Sequence, residues 1–409
     1  MADALSRRRF LLRATALGCS AAASPLMTPM TFAQAPGENR LVVIILRGAM
    51  DGLDAVRPIG DPLLRQYRPG LGMSLDSAAT DLDGFFALHP ALAELMPLWA
   101  QGDLAVAHAV STPYRDKRSH FDGQDLLEAG TGADVDGTQA RDGWLNRMLQ
   151  VLPGAGSETA FAIGRSELKL MSGRAPVSSW SPDGRLDMSP QARLLLEEIY
   201  HDDPLFHDTS MDALAIAESL GLASDDSFGV SSSDMRAAVK AASAAGDASV
   251  LASFAARRLN EEARIAAFSL GGWDTHRAQT RGITRALGNL KDAILTLRSE
   301  LGPRWEKTAV VAVTEFGRTA RENGTRGTDH GTGGAMILAG GAIRGGRVYG
   351  DWPGLEETAL YARRDLMPTS DVRSYIAWLM HGLYGLDKTT LGTVVFPGLQ
   401  LSDDPGLLA

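Results

Sequence analysis

Residues 41–46 read Leu-Val-Val-Ile-Ile-Leu, six consecutive branched apolar residues closed by Arg47-Gly48. A strand with one wet face would alternate in polarity. An unbroken β-branched run instead reads as a strand covered on both faces, as inside a parallel sheet layered by helices. Comparable runs recur at 104–110, 161–163, 263–270, 308–313 and 335–338. Between them, apolar residues take helical spacing over 91–101, 120–129, 143–152, 190–200, 250–262, 282–301 and 371–384. This alternation predicts an α/β fold: a doubly wound, mainly parallel sheet flanked by helices, with functional groups at the carboxyl ends of the strands. Two stretches break the pattern. Residues 165–190, rich in Ser, Pro and Gly, read as a surface excursion, and 202–249, rich in Asp, Ser and Ala, as an insertion or cap. The expected organisation is a leader over 1–35 and one α/β domain over 36–409, with an insertion at about 165–250.

The leader rests on Ser6-Arg7-Arg8-Arg9-Phe10-Leu11, which matches the twin-arginine export pattern, and on Ala33-Gln34-Ala35, which matches a small-x-small cleavage site. The apolar stretch between them is broken by Arg13, Pro25 and Pro29, so it predicts no membrane span. The expectation is a protein exported by the twin-arginine machinery to the periplasm or beyond. That route suits a chain folded around a metal or cofactor before transport.

Residues 1–35 hold four of the 40 basic residues and one of the 49 acidic ones, so the remainder carries 36 against 48, a balance of −12. Such a surface argues against nucleic acid and anionic membranes as partners, since both are bound through phosphate neutralisation. The single cysteine, Cys19, lies in the leader, which excludes disulfides and thiol chemistry from the rest.

Polar clusters follow the apolar runs. Asp51 and Asp54 stand three apart after the first, either delivered to the sheet edge or solvated in a glycine turn. Asp274-Thr275-His276 follows the run 263–270 and offers mixed oxygen and nitrogen ligands to a divalent metal; His276 could equally cap a turn. Thr314-Glu315 and Arg318 close the run 308–313, as an ion pair or with Glu315 as a ligand. A glycine-rich loop then leads to Asp329-His330-Gly331, adjacent residues able to serve one metal or two. Arg115, Arg118, Ser119 and His120 precede a helical pattern. There Ser119 is placed as a helix cap or, beside a metal, as a nucleophile, with the arginines holding an anion.

Taken in order, these clusters resemble the alkaline phosphatase superfamily of phosphatases, sulfatases and phosphoglycerate mutases; Thr328-Asp329-His330-Gly331 is similar to its T-x-D-H-G signature. At finer scale the segments LVVIILRGAMDGLD, RSHFDGQDLLEAG, GGWDTH, TEFGRT and DHGTGGAMILAGGAIRGGRVYG resemble the bacterial family called domain of unknown function 1501, over roughly residues 40–390. The resemblance implies one or two divalent ions, zinc or manganese favoured and calcium possible. It implies Asp51, Asp329 and His330 around one ion with Ser119 as nucleophile, and Asp274 and His276 on a second. The substrate would be a small or polymeric anionic ester of phosphate or sulfate. One residue separates Asp274 from His276 where the superfamily has three, and a third histidine for the second ion is lacking unless His120 serves. Ser111, in Ser111-Thr112-Pro113-Tyr114-Arg115, fits the short sulfatase pattern and rivals Ser119. The competing expectation is a catalytically degenerate binding protein.

Overall fold

The computed structural model describes residues 30–33, 37–71, 80–115, 117–132, 142–152, 168–175, 177–180, 248–261 and 263–409. The twin-arginine pattern, the runs at 161–163 and 190–200 and most of the insertion at 165–250 lie outside the described residues. The chain divides into two compact units, and one of them, Met30–Ala160, Leu168–Ser178 and Asp247–Ala409, holds everything described below.

The apolar runs form strands. In chain order they are β1 (Met30–Ala33), β2 (Arg40–Leu46), β3 (Leu104–Ser111), β4 (Ile265–Leu270), β5 (Thr308–Val313), β6 (Gly334–Ala339), β7 (Arg347–Tyr349) and β8 (Ser370–Asp371). Across the sheet the order is β7-β3-β6-β5-β2-β4-β1, with β8 also on β3. β2 is central and parallel to both neighbours, Ile44 lying opposite Phe268 on one side and Ala312 on the other. All seven of its residues are buried. Its six apolar side chains contribute on the order of 10 kcal/mol to folding, which suits a strand at the middle of the sheet. β1, drawn from the segment expected in the leader, pairs antiparallel with β4.

The sheet is mainly parallel, as expected, and one central strand runs the other way. β6 runs antiparallel to both β5 and β3. The cause is local. A parallel connection needs a crossover, usually a helix, and between β5 and β6 the chain forms none. Instead the segment folds back on itself, Arg318 bridging His330 in antiparallel fashion. The loop before β6 is thereby returned to the edge where β2, β3, β4 and β5 end.

The longer helices are α1 (His120–Ala129), α2 (Trp144–Val151), α3 (Ala248–Asn260), α4 (Gln279–Leu301) and α5 (Val372–Tyr384). Leu41, Val43 and Ile45 face one core with α2 and α5, represented by Trp144, Met148, Ile376 and Leu379. Val42, Ile44 and Leu46 point to the opposite face and are equally buried. There α3 and α4 pack on each other and on β4. Leu168, Leu170 and Met171, expected in a surface excursion, are buried in the α2–α5 core. Among the described residues no helix is long and apolar enough to cross a membrane.

Candidate metal centre

Four loops meet at the carboxyl edge of the sheet. After β2, Gly48 takes φ +122°, and a Cβ there would stand 2.7 Å from the Asp274 amide, so only glycine lets the loops after β2 and β4 touch. After β5, the Arg318 guanidinium is buried and donates to the carbonyls of Ala49, Gly48, Trp273 and Thr328 at 2.7–3.1 Å. It thereby ties three loops to one another. A Cβ on Gly331 would lie 2.4 Å from the Arg318 carbonyl carbon, and its absence lets the strand carrying His330 close against that of Arg318. After β3, Ser119 caps α1, its Oγ accepting from the Asp122 amide at 3.3 Å. His120 opens that helix, with its ring stacked on Phe316.

These loops bring three imidazoles to one carboxylate oxygen. Asp274 Oδ1 lies 3.3 Å from His120 Nε2, 3.0 Å from His276 Nε2 and 3.3 Å from His330 Nε2. The Nε2 atoms of His276 and His330 are 2.9 Å apart. Each ring is held from behind. His120 Nδ1 meets Glu315 Oε1 at 2.8 Å, His276 Nδ1 meets Asp329 Oδ1 at 3.3 Å, and His330 Nδ1 meets the Arg118 carbonyl at 2.8 Å. An Nδ1 facing an oxygen acceptor carries the proton, which leaves the Nε2 lone pair free. The three lone pairs then face one another and a carboxylate, with no donor among them except Arg318. His120 Nε2 is buried and forms no hydrogen bond, its geometry to Asp274 being poor despite the 3.3 Å separation.

Apart from the Arg318 guanidinium on Asp274, the convergent atoms are acceptors, as a cation ligand set requires. His120, Asp274 and His330 each offer an atom within 4.8 Å of the others, and His276 adjoins two of the three. Two ligand atoms each about 2.0–2.1 Å from a tetrahedral ion stand about 3.3 Å apart, close to these distances. Imidazole nitrogens with one carboxylate are the donor set of zinc and its first-row neighbours, whereas calcium prefers oxygen. Charge agrees. Asp274, Glu315 and Asp329 against Arg318, with neutral imidazoles, leave an excess of two negative charges for a divalent ion.

The electrostatics follow from these contacts. Burial alone would raise the Asp274 carboxyl, but the Arg318 guanidinium at 2.6 Å and the imidazoles outweigh it and hold it down at about 2. The hydrogen bond that His120 Nδ1 donates to Glu315 raises His120, while burial lowers His330. Burial opposes ionisation of Glu315, yet its bonds from His120, Gln124, Thr314 and the Gly48 amide keep it below the usual carboxylate range.

Of the residues picked out by sequence, Asp274, His276, His330 and His120 converge, and Asp329 stands behind His276. Asp51 does not join them. Its Oδ2 accepts from Arg68 at 2.7 Å and Gln279 at 2.7 Å, and its Oδ1 accepts from the Leu53 amide at 3.1 Å. Buried at 1% exposure and engaged by those donors, it stands apart from the histidines. Arg115 turns its guanidinium onto the carbonyls of Thr112 and Tyr114, and Arg118 contributes its carbonyl. Ser111 is buried at the end of β3, its hydroxyl on the Thr112 carbonyl. The orienting role of Glu315 went unassigned by sequence. The visible signal was a carboxylate directly after a buried strand, at the edge that carries the histidines.

The chain belongs to the family described as protein of unknown function (DUF1501), whose model matches residues 38–388. No curated protein and no solved structure matches it.

Proposed function

We propose that this DUF1501 protein binds one divalent ion, zinc or manganese, through His120, Asp274, His276 and His330, and hydrolyses a phosphate or sulfate ester. The carrying observation is the arrangement of the three imidazoles, each with Nδ1 anchored on oxygen and Nε2 turned toward Asp274. An anchored ring with a directed lone pair is the arrangement that carboxylates and carbonyls impose on metal-ligating histidines. A single ion replaces the pair implied by the superfamily resemblance, because Asp274, His276 and His330 crowd one point rather than two.

A divalent ion there supplies Lewis acidity toward an ester oxygen. The residues of the chain supply the rest. Glu315, Asp329 and the Arg118 carbonyl fix the rings, and Arg318 locks the Asp274 loop. The exposed Arg118 side chain is available to the anionic group, and Ser119, adjacent to His120, is the candidate nucleophile. An alkaline phosphatase-like fold accords with a site at the strand ends of a mixed sheet. The twin-arginine pattern supports delivery to the periplasm. One observation favours a second reading, a binding protein without catalysis: Ser119 Oγ is engaged as a helix cap, accepting from the Asp122 amide.

Metal analysis of protein purified from the exported fraction, followed by a screen of phosphate and sulfate esters, tests the proposal. We expect one ion per chain and turnover of at least one ester class that chelation abolishes. A metal-free protein that takes up neither zinc nor manganese sinks the site. One bound ion without turnover on any ester moves the conclusion to the binding reading.

A further inference from the structure

Gln279, the first residue of α4, is fully buried. Its carboxamide offers two donor hydrogens and two acceptor sites, and the fold fills all four. Nε2 donates to Asp51 Oδ2 at 2.7 Å and to Asp54 Oδ2 at 3.0 Å. Oε1 accepts from Thr275 Oγ1 at 3.1 Å and from Thr328 Oγ1 at 2.7 Å. The carboxylates decide which way the amide faces, because turned over it would set its oxygen against both. Its acceptor end is thereby committed to the threonines. Thr275 stands between Asp274 and His276, and Thr328 directly precedes Asp329 and His330. The two threonines belong to different loops, which meet again where the Thr328 amide donates to the Thr275 carbonyl at 3.3 Å. The start of α4 is bent to the same purpose. Ala278 takes a left-handed φ of +45°, which strains a residue with a Cβ, and no side chain caps the helix. Instead the Ala278 and Gln279 amides donate to the carbonyls of Thr325 and Arg326, at 3.1 and 2.8 Å, in the loop that leads to His330.

We infer that Gln279 is a positioning residue that holds Thr275 and Thr328 on one oxygen atom and so sets the spacing of His276 and His330 around the ion. Each gripped threonine is within two residues of a ligand, so a loop that shifts carries an imidazole with it. Ligands keep a productive geometry only when the groups behind them are themselves fixed. Gln279 fixes two loops at once, and it is fixed in turn by carboxylates that carry Arg68 and Arg57. All of these bonds lie within the protein, so the loops are in register before an ion arrives. The inference rests on the proposed metal site and makes no use of the ester chemistry.

The test cuts the clamp without touching a ligand. Thr275→Val/Thr328→Val keeps the side-chain shape and removes both hydroxyls, and Thr275→Ser/Thr328→Ser restores them. Thr308→Val is the matched control, because its buried hydroxyl bonds the Arg304 carbonyl at 2.8 Å at the opposite edge of the sheet. The metal-depleted full chain is titrated with zinc against a chelator, and with cobalt(II), whose visible absorption weakens as a tetrahedral site opens to further ligands. We expect the valine pair to lose about tenfold in zinc affinity, the low end of what groups behind ligands contribute, and to show a weaker cobalt band at saturation. The serine pair and Thr308→Val should stay within about threefold of wild type and keep its cobalt spectrum. Wild-type affinity and spectrum in the valine pair overturn the inference. So does an equal loss in Thr308→Val, which would mark a general effect of destabilisation. Should the valine pair not fold, Thr275→Val and Thr328→Val are read singly by the same criteria, since each removes one of the two bonds. A wild-type chain that takes up neither ion overturns the metal site itself, whereas a wild type that binds zinc no better than the valine pair overturns the clamp alone.

Discussion

Two neighbouring regions of this molecule use the same residue types to opposite ends. In the loops beyond the sheet, His120, His276 and His330 turn Nε2 toward Asp274. Below them, Asp51, Asp54 and His108 have every strong group satisfied. Asp51 takes Arg68 and Gln279, Asp54 takes Arg57 and Gln279, and His108 spans the Val56 carbonyl and the Ala109 amide. A ligand is recognised by an acceptor left without a donor. Residue type alone does not separate a ligand from a strut.

The sharpest break between the regions is Asp51→Ala. It strands the fully buried Arg68, whose NH1 otherwise donates to Asp51 Oδ2 at 2.7 Å. Removing one partner of a buried pair costs about 3–5 kcal/mol. Chemical denaturation should show that loss, while zinc stoichiometry of the protein that remains folded stays unchanged. If Asp51→Ala instead lost metal at wild-type stability, the division between the two regions would be wrong.

His330→Ala is the converse variant. Ligand loss should lower zinc affinity by about 100-fold or more, since even the groups behind ligands are worth 10–100-fold. Metal-free stability should move little, because the ring is part-exposed and its free nitrogen faces other acceptors. Glu315→Gln should fall between the two, weakening zinc by 10–100-fold through the orientation of His120. Competition titrations against a chromogenic chelator would rank all three. Intact zinc affinity in His330→Ala would remove it from the site.

Much of this was legible in the sequence, and the exceptions have causes. β5 and α1 have the bounds that apolar pattern and the Ser119 cap predict. Asp274, His276 and His330 were identifiable because each follows or precedes a buried strand at a glycine-rich loop. Asp51 pairs with Arg68 and Gln279 rather than with the histidines, and the local pattern, a carboxylate after a strand, is the same for a ligand and for a buried ion pair. Its partners Arg68 and Gln279 lie 17 and 228 residues away, beyond the reach of any local pattern. The direction of β6 was implicit in the lack of a helical pattern between residues 314 and 333. The role of His120 depended on Glu315, 195 positions away.

The histidines of the two regions should also separate by pH. Burial lowers His108 to about 4, and His89 likewise to about 4. Both are neutral when folded. Above about pH 6.5 they are neutral in the unfolded chain too, and their environment costs nothing. As pH falls from 6.5 toward 4 the unfolded state takes up protons first, so stability falls. The limit is about 3 kcal/mol for a fully buried group such as His108. His108→Gln should flatten that acid limb by up to one proton. An unchanged slope in urea unfolding between pH 6.5 and 4 would mean that His108 is solvated when folded.

The smallest effect on folding is expected from Ser119→Ala, and it decides the most about chemistry. The hydroxyl caps α1 through a 3.3 Å bond to the Asp122 amide. Loss of an N-cap costs about 1 kcal/mol, too little to unfold a domain of this size. None of the metal ligands changes, so zinc content should match wild type. If Ser119 is the nucleophile, hydrolysis is lost while folding and metal persist. Wild-type turnover in that variant would leave Ser119 with its cap alone and place the attacking group elsewhere. The same measurement with Asp329→Asn, which loosens the anchor of His276, should weaken zinc and activity in parallel. A serine acting on substrate and a carboxylate acting through a ring would then be told apart by whether activity and metal fall together.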